Sequence, residues 1–159
     1  MEKRHTNIEE IYTYTEKRVE TINKNIDSLG GKLTSTLGFS GVLLKFVSDM
    51  ATNEKHAYPF WFVSISSITL LIGIGFCASG LYARNAGCIV DPKALLEDSW
   101  WYSTTNELFK LRIVRQWHEN ITSLDELLDH RQNCFNMAIG LLASVAVLFC
   151  VTNIILLIH

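Results

Sequence analysis

A lysine and an aspartate one helical turn apart, Lys45 and Asp49, stand inside an otherwise apolar run of this chain. An ionisable group is costly to bury in hydrocarbon, so such a residue is by default a functional candidate. Two roles compete: lining a polar path through a membrane, or extending the ammonium toward the outer headgroups with Asp49 beside it on the same helix face. Asn153 poses a similar choice between a hydrogen bond to a neighbouring helix and the outer interface. Ser66, Thr69, Gly73 and Gly75 belong to a second apolar run that also holds Ser64, Ser67, Cys77, Ser79 and Gly80. Small and hydroxylated residues let helices approach closely, either within one chain or between copies around a water-lined surface.

A second group of candidates lies outside the apolar runs. Trp100 and Trp101, followed by Tyr102, can stack on a ligand ring, settle at a headgroup layer, or pack a short helix against its neighbours. Lys110, Arg112 and Arg115, with Trp117 close behind, can hold anionic headgroups or a phosphate, or form a solvated basic face. Enzyme chemistry finds no support. There is no H-E-x-x-H, G-x-S-x-G or glycine-rich phosphate loop, and a helix points the adjacent His118 and Glu119 in different directions. The cysteines at 77, 88, 134 and 150 form no C-x-x-C and no spacing with His5, His56, His130 or His159 that suits a metal, so reduced packing residues are expected. The reading is a chain with no catalytic residue, metal or cofactor. A net charge of −2 gives no reason to expect a nucleic-acid partner.

These candidates need elements to position them, and three apolar stretches supply the frame: residues 33–47, 59–83 and 137–158. A spanning helix takes about 20 mostly apolar residues, which the second and third meet without a charge inside them. The first reaches that length only by running over 32–50. Charge distribution argues that it spans nonetheless. With three crossings, every Lys and Arg except Lys45 and Lys55 falls on one side, and the cytoplasmic side is where basic residues collect. Expected, then, is an all-α membrane protein with a cytoplasmic N-terminus; the resemblance given below implies that the membrane is the bacterial inner one. The protein's parts are an amphipathic helix at 1–31, a first span at 32–50, an outer loop at 51–58, a second span at 59–83, a helical stalk at 84–135 and a third span at 136–159. No short apolar region with a small-residue cleavage site precedes the first stretch, so the spans are expected to be permanent.

The stalk has its own signals. Thr6-Asn7-Ile8-Glu9 reads as a capping box that starts a helix, followed by a three-four stripe of Tyr12, Thr15, Val19, Ile22, Ile26, Leu29 and Leu33. Gly30-Gly31 interrupts it and permits a hinge before the first span. Asp91-Pro92 opens a short helix, and Thr104-Thr105-Asn106-Glu107 restarts the chain. Val114, Trp117, Ile121, Leu124 and Leu128 repeat the spacing, with no proline or glycine until Gly140. One helix from about 105 into the third span, zipped against the N-terminal helix, is the simplest consequence. So small a stalk, and so polar a second span, favour assembly of several copies.

The stretch Asn25-Ile26-Asp27-Ser28-Leu29-Gly30-Gly31-Lys32-Leu33, running into Leu37-Gly38-Phe39-Ser40-Gly41-Val42-Leu43-Leu44, resembles the entry to the first span in a group of small bacterial membrane proteins. Asp91-Pro92 with Leu95-Leu96 ahead of a long terminal helix is similar to the same group, which is close to the Pycsar transmembrane effectors and SLATT-type antiphage membrane modules. In this chain Gly30-Gly31 precedes Lys32, where the pattern has its lysine soon after the acid. The resemblance implies an oligomeric inner-membrane effector that permeabilises or depolarises the membrane, controlled by a cytosolic protein or a nucleotide signal through its stalk. Two other classes stay open: a non-conducting anchor or scaffold that recruits a cytosolic partner, and a small channel or transport subunit.

Overall fold

The computed structural model describes residues 3–52, 58–82 and 106–158. They form three helices, α1 (Lys3–Thr52), α2 (Phe60–Leu81) and α3 (Asn106–Ile158), with no strand among the described residues. The all-α expectation holds, and so does the single long helix from about residue 105. Two helices, α2 and α3, are long and apolar enough to cross a membrane; α1 is not. The expected first span at 32–50 thus does not meet this measure of length and composition. The apolar part of α1 is diluted by Thr34, Ser35, Thr36, Ser40 and Ser48 as well as by Lys45 and Asp49.

Other boundaries shift too. Helix α1 is already formed at Lys3, ahead of the expected cap at Thr6. The Glu9 carboxylate, expected to reach back to that cap, accepts from Lys110 Nζ of α3 at 2.8 Å. Gly30 and Gly31 lie inside α1 and do not interrupt it. Each glycine lowers helix propensity by about 1 kcal/mol but removes no backbone hydrogen bond, so a long helix tolerates the pair. Thr34 Oγ1 and Ser35 Oγ donate back to the carbonyls of Gly30 and Gly31 at 2.9 and 3.0 Å. The short helix expected after Asp91-Pro92, and the Trp100-Trp101 cluster, lie outside the described residues.

The helices pack as two compact units. The first draws on Met1–Asp27 and Ala83–Asp129, the second on Ser28–Tyr82 and His130–His159. In the first unit the expected stripes meet. Ile22 and Ile26 of α1 form a core with Ile121, Leu124 and Leu127 of α3, flanked by Val19 and Leu128. Above this core the Tyr12 and Trp117 rings lie 5.1 Å apart, and Arg18 Nη2 donates to Asp125 Oδ2 at 3.3 Å. Contacts advance together along both helices, from Glu9–Lys110 through Tyr12–Trp117 to Arg18–Asp125, so within this unit α1 and α3 run parallel.

In the second unit α2 is antiparallel to both other helices. Leu33 of α1 clusters with Cys77 of α2 and Cys134 and Ala138 of α3; farther along, Val47 clusters with Leu70 and Val145. The numbers rise on α1 and α3 while they fall on α2. Leu33 therefore belongs to this core and not to the stalk stripe in which the spacing put it. The buried residues of α2 are Phe62, Ser66, Leu70, Gly73, Cys77 and Gly80, a three-four seam in which Ser66, Gly73 and Gly80 recur every seventh position. A heptad of small residues brings helix axes close without leaving a void, which suits packing in a bilayer.

Candidate functional site: an outward polar seam and a cationic groove

The second unit turns large apolar residues outward. Phe39, Val42 and Phe46 of α1 are exposed, as are Ile65, Ile68, Leu71 and Ile72 of α2 and Met137, Val147, Val151 and Ile154 of α3. Water penalises an apolar surface of this extent, while hydrocarbon accepts it. One strip of α1 breaks the pattern. Gly31, Thr34, Gly38, Gly41, Lys45 and Ser48 are all exposed, and their spacing of three, four, three, four and three puts them on one face of the helix. A Cβ built on Gly31, Gly38 or Gly41 meets nothing within 4 Å. The strip is thus narrow, polar and open, with Lys45 on it and the exposed Asp49 beside Ser48. This seam was missed in the sequence, where attention to Lys45 and Asp49 as a pair hid the glycines in register with them.

The polar residues of α2 divide differently from the expectation. Ser66 and Gly73 are buried, the latter with Leu141 Cβ at 3.8 Å from where its own Cβ would be, so they serve packing inside the chain. Thr69 Oγ1 donates to Ile65 O at 2.8 Å, which satisfies the hydroxyl within its own helix. Only Gly75 of the four candidates is exposed, with no neighbour within 4 Å of a built Cβ. Ser66 Oγ has no hydrogen-bond partner among the described residues although the residue is fully buried. Asn153 joins helix to loop: its Oδ1 accepts from Tyr58 Oη at 3.3 Å and its Nδ2 donates to Phe149 O at 2.8 Å.

Cys134 and His130, held unrelated by the sequence reading, sit one turn apart with Sγ 3.7 Å from Nε2. Their four-residue spacing was the available signal. No group of three or more His, Cys, Asp or Glu able to hold a metal occurs among the described residues. Cys77 and Cys134 are buried free thiols of one core.

The first unit carries an open groove of about 850 Å³ between its two helices. Helix α1 contributes Ile11, Tyr14, Thr15 and Arg18, spaced i, i+3, i+4 and i+7. Helix α3 contributes Leu108, Leu111, Arg112, Val114, Arg115, His118 and Ile121. Of the basic trio read from the sequence, Arg112 and Arg115 line this groove, whereas Lys110 is engaged by Glu9 and lies 5.8 Å from the centre of the Tyr12 ring. Trp117 is half-buried and stacks at a tilt on Tyr12, a contact within the helical pair. His118, set aside as one of an isolated pair, faces the groove.

No protein-family model, curated protein or solved structure matches this chain.

Proposed function

We propose that this chain is an oligomeric effector of the bacterial inner membrane, acting in antiphage defence by permeabilising or depolarising the bilayer under the control of its cytoplasmic helical pair. The observation that carries this reading is the outward seam of α1. A strip holding Lys45, Thr34 and Ser48 is unfavourable against lipid, and copies that turn it toward one another remove it from hydrocarbon. Among the described residues the interior of the second unit offers no such path, because Leu33, Leu70, Cys77 and Ala138 fill it. Conduction on this reading needs several copies, with α1 as lining and α2 and α3 facing lipid.

Two features support three crossings with the N-terminus inside. The segment of α1 from Leu33 to Val47 packs along both apolar helices, parallel to one and antiparallel to the other, as an in-out-in-out path requires. The basic residues also fall almost wholly on one side of such a path. The defence setting rests on the resemblance to Pycsar and SLATT-type modules. A second reading, a non-conducting anchor that recruits a cytosolic partner, draws on the groove of the first unit, whose exposed Leu108 and Leu111 offer a docking surface.

Induction in bacterial cells separates them. The effector reading expects the membrane potential to collapse, and Lys45→Leu or the pair Gly38→Leu and Gly41→Leu to suppress the collapse at equal membrane abundance. Normal potential on induction, with a stable cytosolic protein co-purifying, would sink it in favour of the anchor.

A further inference from the structure

The apolar parts of the second unit carry formal charge of one sign only. From Gly31 to Ser48, α1 holds Lys32 and Lys45 and no acid, while Phe60–Leu81 of α2 and residues 132–158 of α3 hold no Asp, Glu, Lys or Arg. Both lysines are exposed. Lys45 makes no hydrogen bond or ion pair among the described residues, although Asp49 stands one turn farther along α1. The spacing permits that pair, but Asp49 is engaged in a different interaction.

Depth decides what an unpaired ammonium can do. The neighbours of Lys45 along α1, Leu43, Leu44 and Val47, share one cluster with Val63 and Leu70 of α2 and Val145 of α3, and Leu70 stands midway along the 22 residues of α2. Lys45 therefore lies well inside the apolar layer. A helical side chain also leaves the backbone tilted toward the helix N-terminus, which on the proposed in-out-in-out path is the cytoplasmic side. The Lys45 stem thus starts away from the nearer, outer headgroups, which works against reaching them.

Copies related by rotation about the membrane normal bring Lys45 to one level. A ring of ammonium groups with no acid among them repels itself until anions enter it. Ser48, three residues on along the same strip, makes no hydrogen bond among the described residues, so its hydroxyl can donate to the same ion. The Thr34 hydroxyl already donates to Gly30 O at 2.9 Å and offers only a neutral acceptor oxygen, which a full positive charge from each copy outweighs. We infer, on the conducting reading proposed above, that the Lys45 ring makes the α1 path selective for small inorganic anions such as chloride, with Lys32 adding positive charge toward the cytoplasmic end.

The test records currents of the full chain in planar bilayers of phosphatidylcholine under a steep KCl gradient. The reversal potential should follow chloride, with chloride about tenfold more permeant than potassium, and replacing chloride by gluconate on both sides should lower the current to a similar extent. Lys45→Arg should keep the permeability ratio, and Lys45→Gln should bring it close to one. Where Lys45→Gln passes no current, the reversal potential of the parent chain decides alone. A reversal that follows potassium, a parent ratio near one, or a Lys45→Gln chain with the parent's ratio overturns the anion assignment and leaves conduction standing. A parent ratio near one that rises with Asp49→Asn would overturn it in a specific way, since Asp49 would then neutralise Lys45 across copies. No current in any salt overturns the conducting reading, and the anion assignment with it.

Discussion

Gly80 of α2 receives Leu33 of α1 against its bare Cα: a Cβ at that position would stand 2.9 Å from Leu33 Cδ1. Cys134 Cβ of α3 lies at 3.0 Å from the same point, so three helices converge on one missing side chain. Leu33 is fully buried as a result and anchors the core it shares with Cys77 and Ala138.

Gly80→Ala should therefore destabilise the folded chain by about 1–3 kcal/mol, since overpacking here pushes on a fully buried leucine and on backbone-proximal atoms. Gly75→Ala is the matched control, with nothing within 4 Å of its built Cβ, and should be neutral or gain up to about 1 kcal/mol of helix propensity. Unfolding titrations in mixed micelles measure both. Equal effects at the two positions would remove the close approach at Leu33 from the account.

The contrast between these glycines shows how far the sequence could be read. Helix identity and the stalk pairing were legible because Ile22, Ile26, Ile121 and Leu124 repeat at helical spacing, and periodicity reports which face is buried. The division of α2 was not legible. Composition counts Ser66, Gly73, Gly75 and Gly80 alike, while burial depends on which neighbours Leu33 and Leu141 present. The seam of α1 is hidden for the opposite reason: its glycines are exposed, and apolar periodicity reports only the buried face. Gly30-Gly31 misled because propensity was read as a break, whereas the length of α1 carries the pair.

Ser66 gives a second test of the same core. Its hydroxyl is buried without a hydrogen-bond partner among the described residues, a loss of about 1–3 kcal/mol where it stays unsatisfied. Ser66→Ala should leave stability unchanged or raise it, and Ser66→Leu should lower it by about 1–3 kcal/mol through overpacking of the small-residue seam. A clear loss with alanine would mean that the hydroxyl has a partner in the assembled protein, and the site would need reassignment.

Tyr12 and Trp117 set the register of the parallel helical pair in the first unit. A double-mutant cycle through Tyr12→Ala and Trp117→Ala should return a coupling of about 0.5–1.5 kcal/mol, the range for a tilted aromatic pair. Thermal unfolding of the four proteins measures it, and zero coupling would leave the ring contact without energetic weight.

The ion pairs of that unit should matter less. Arg18 and Asp125 are 51% and 43% exposed, so Asp125→Asn is expected to cost about 0–1 kcal/mol and to lose even that in high salt. Lys24 lowers the Glu20 carboxyl below its ordinary value, first by its hydrogen bond and then by its charge. A lowered carboxyl stabilises above its unfolded pKa and loses that contribution as pH falls through the folded one, so the small effect of Glu20→Gln should be present at neutral and mildly alkaline pH and vanish in acid. A large effect of Asp125→Asn that resists salt would contradict the exposed geometry.

The central claim, that copies meet along the α1 seam and open a polar path, is tested most directly in liposomes. Vesicles carrying the purified chain, with a potassium diffusion potential set across them and read by a voltage-sensitive dye, should lose that potential. Vesicles carrying Gly38→Leu with Gly41→Leu should hold it. A Gly38→Cys chain that crosslinks to a second copy while the potential stays intact would contradict the account, for the seam would then join copies without conducting.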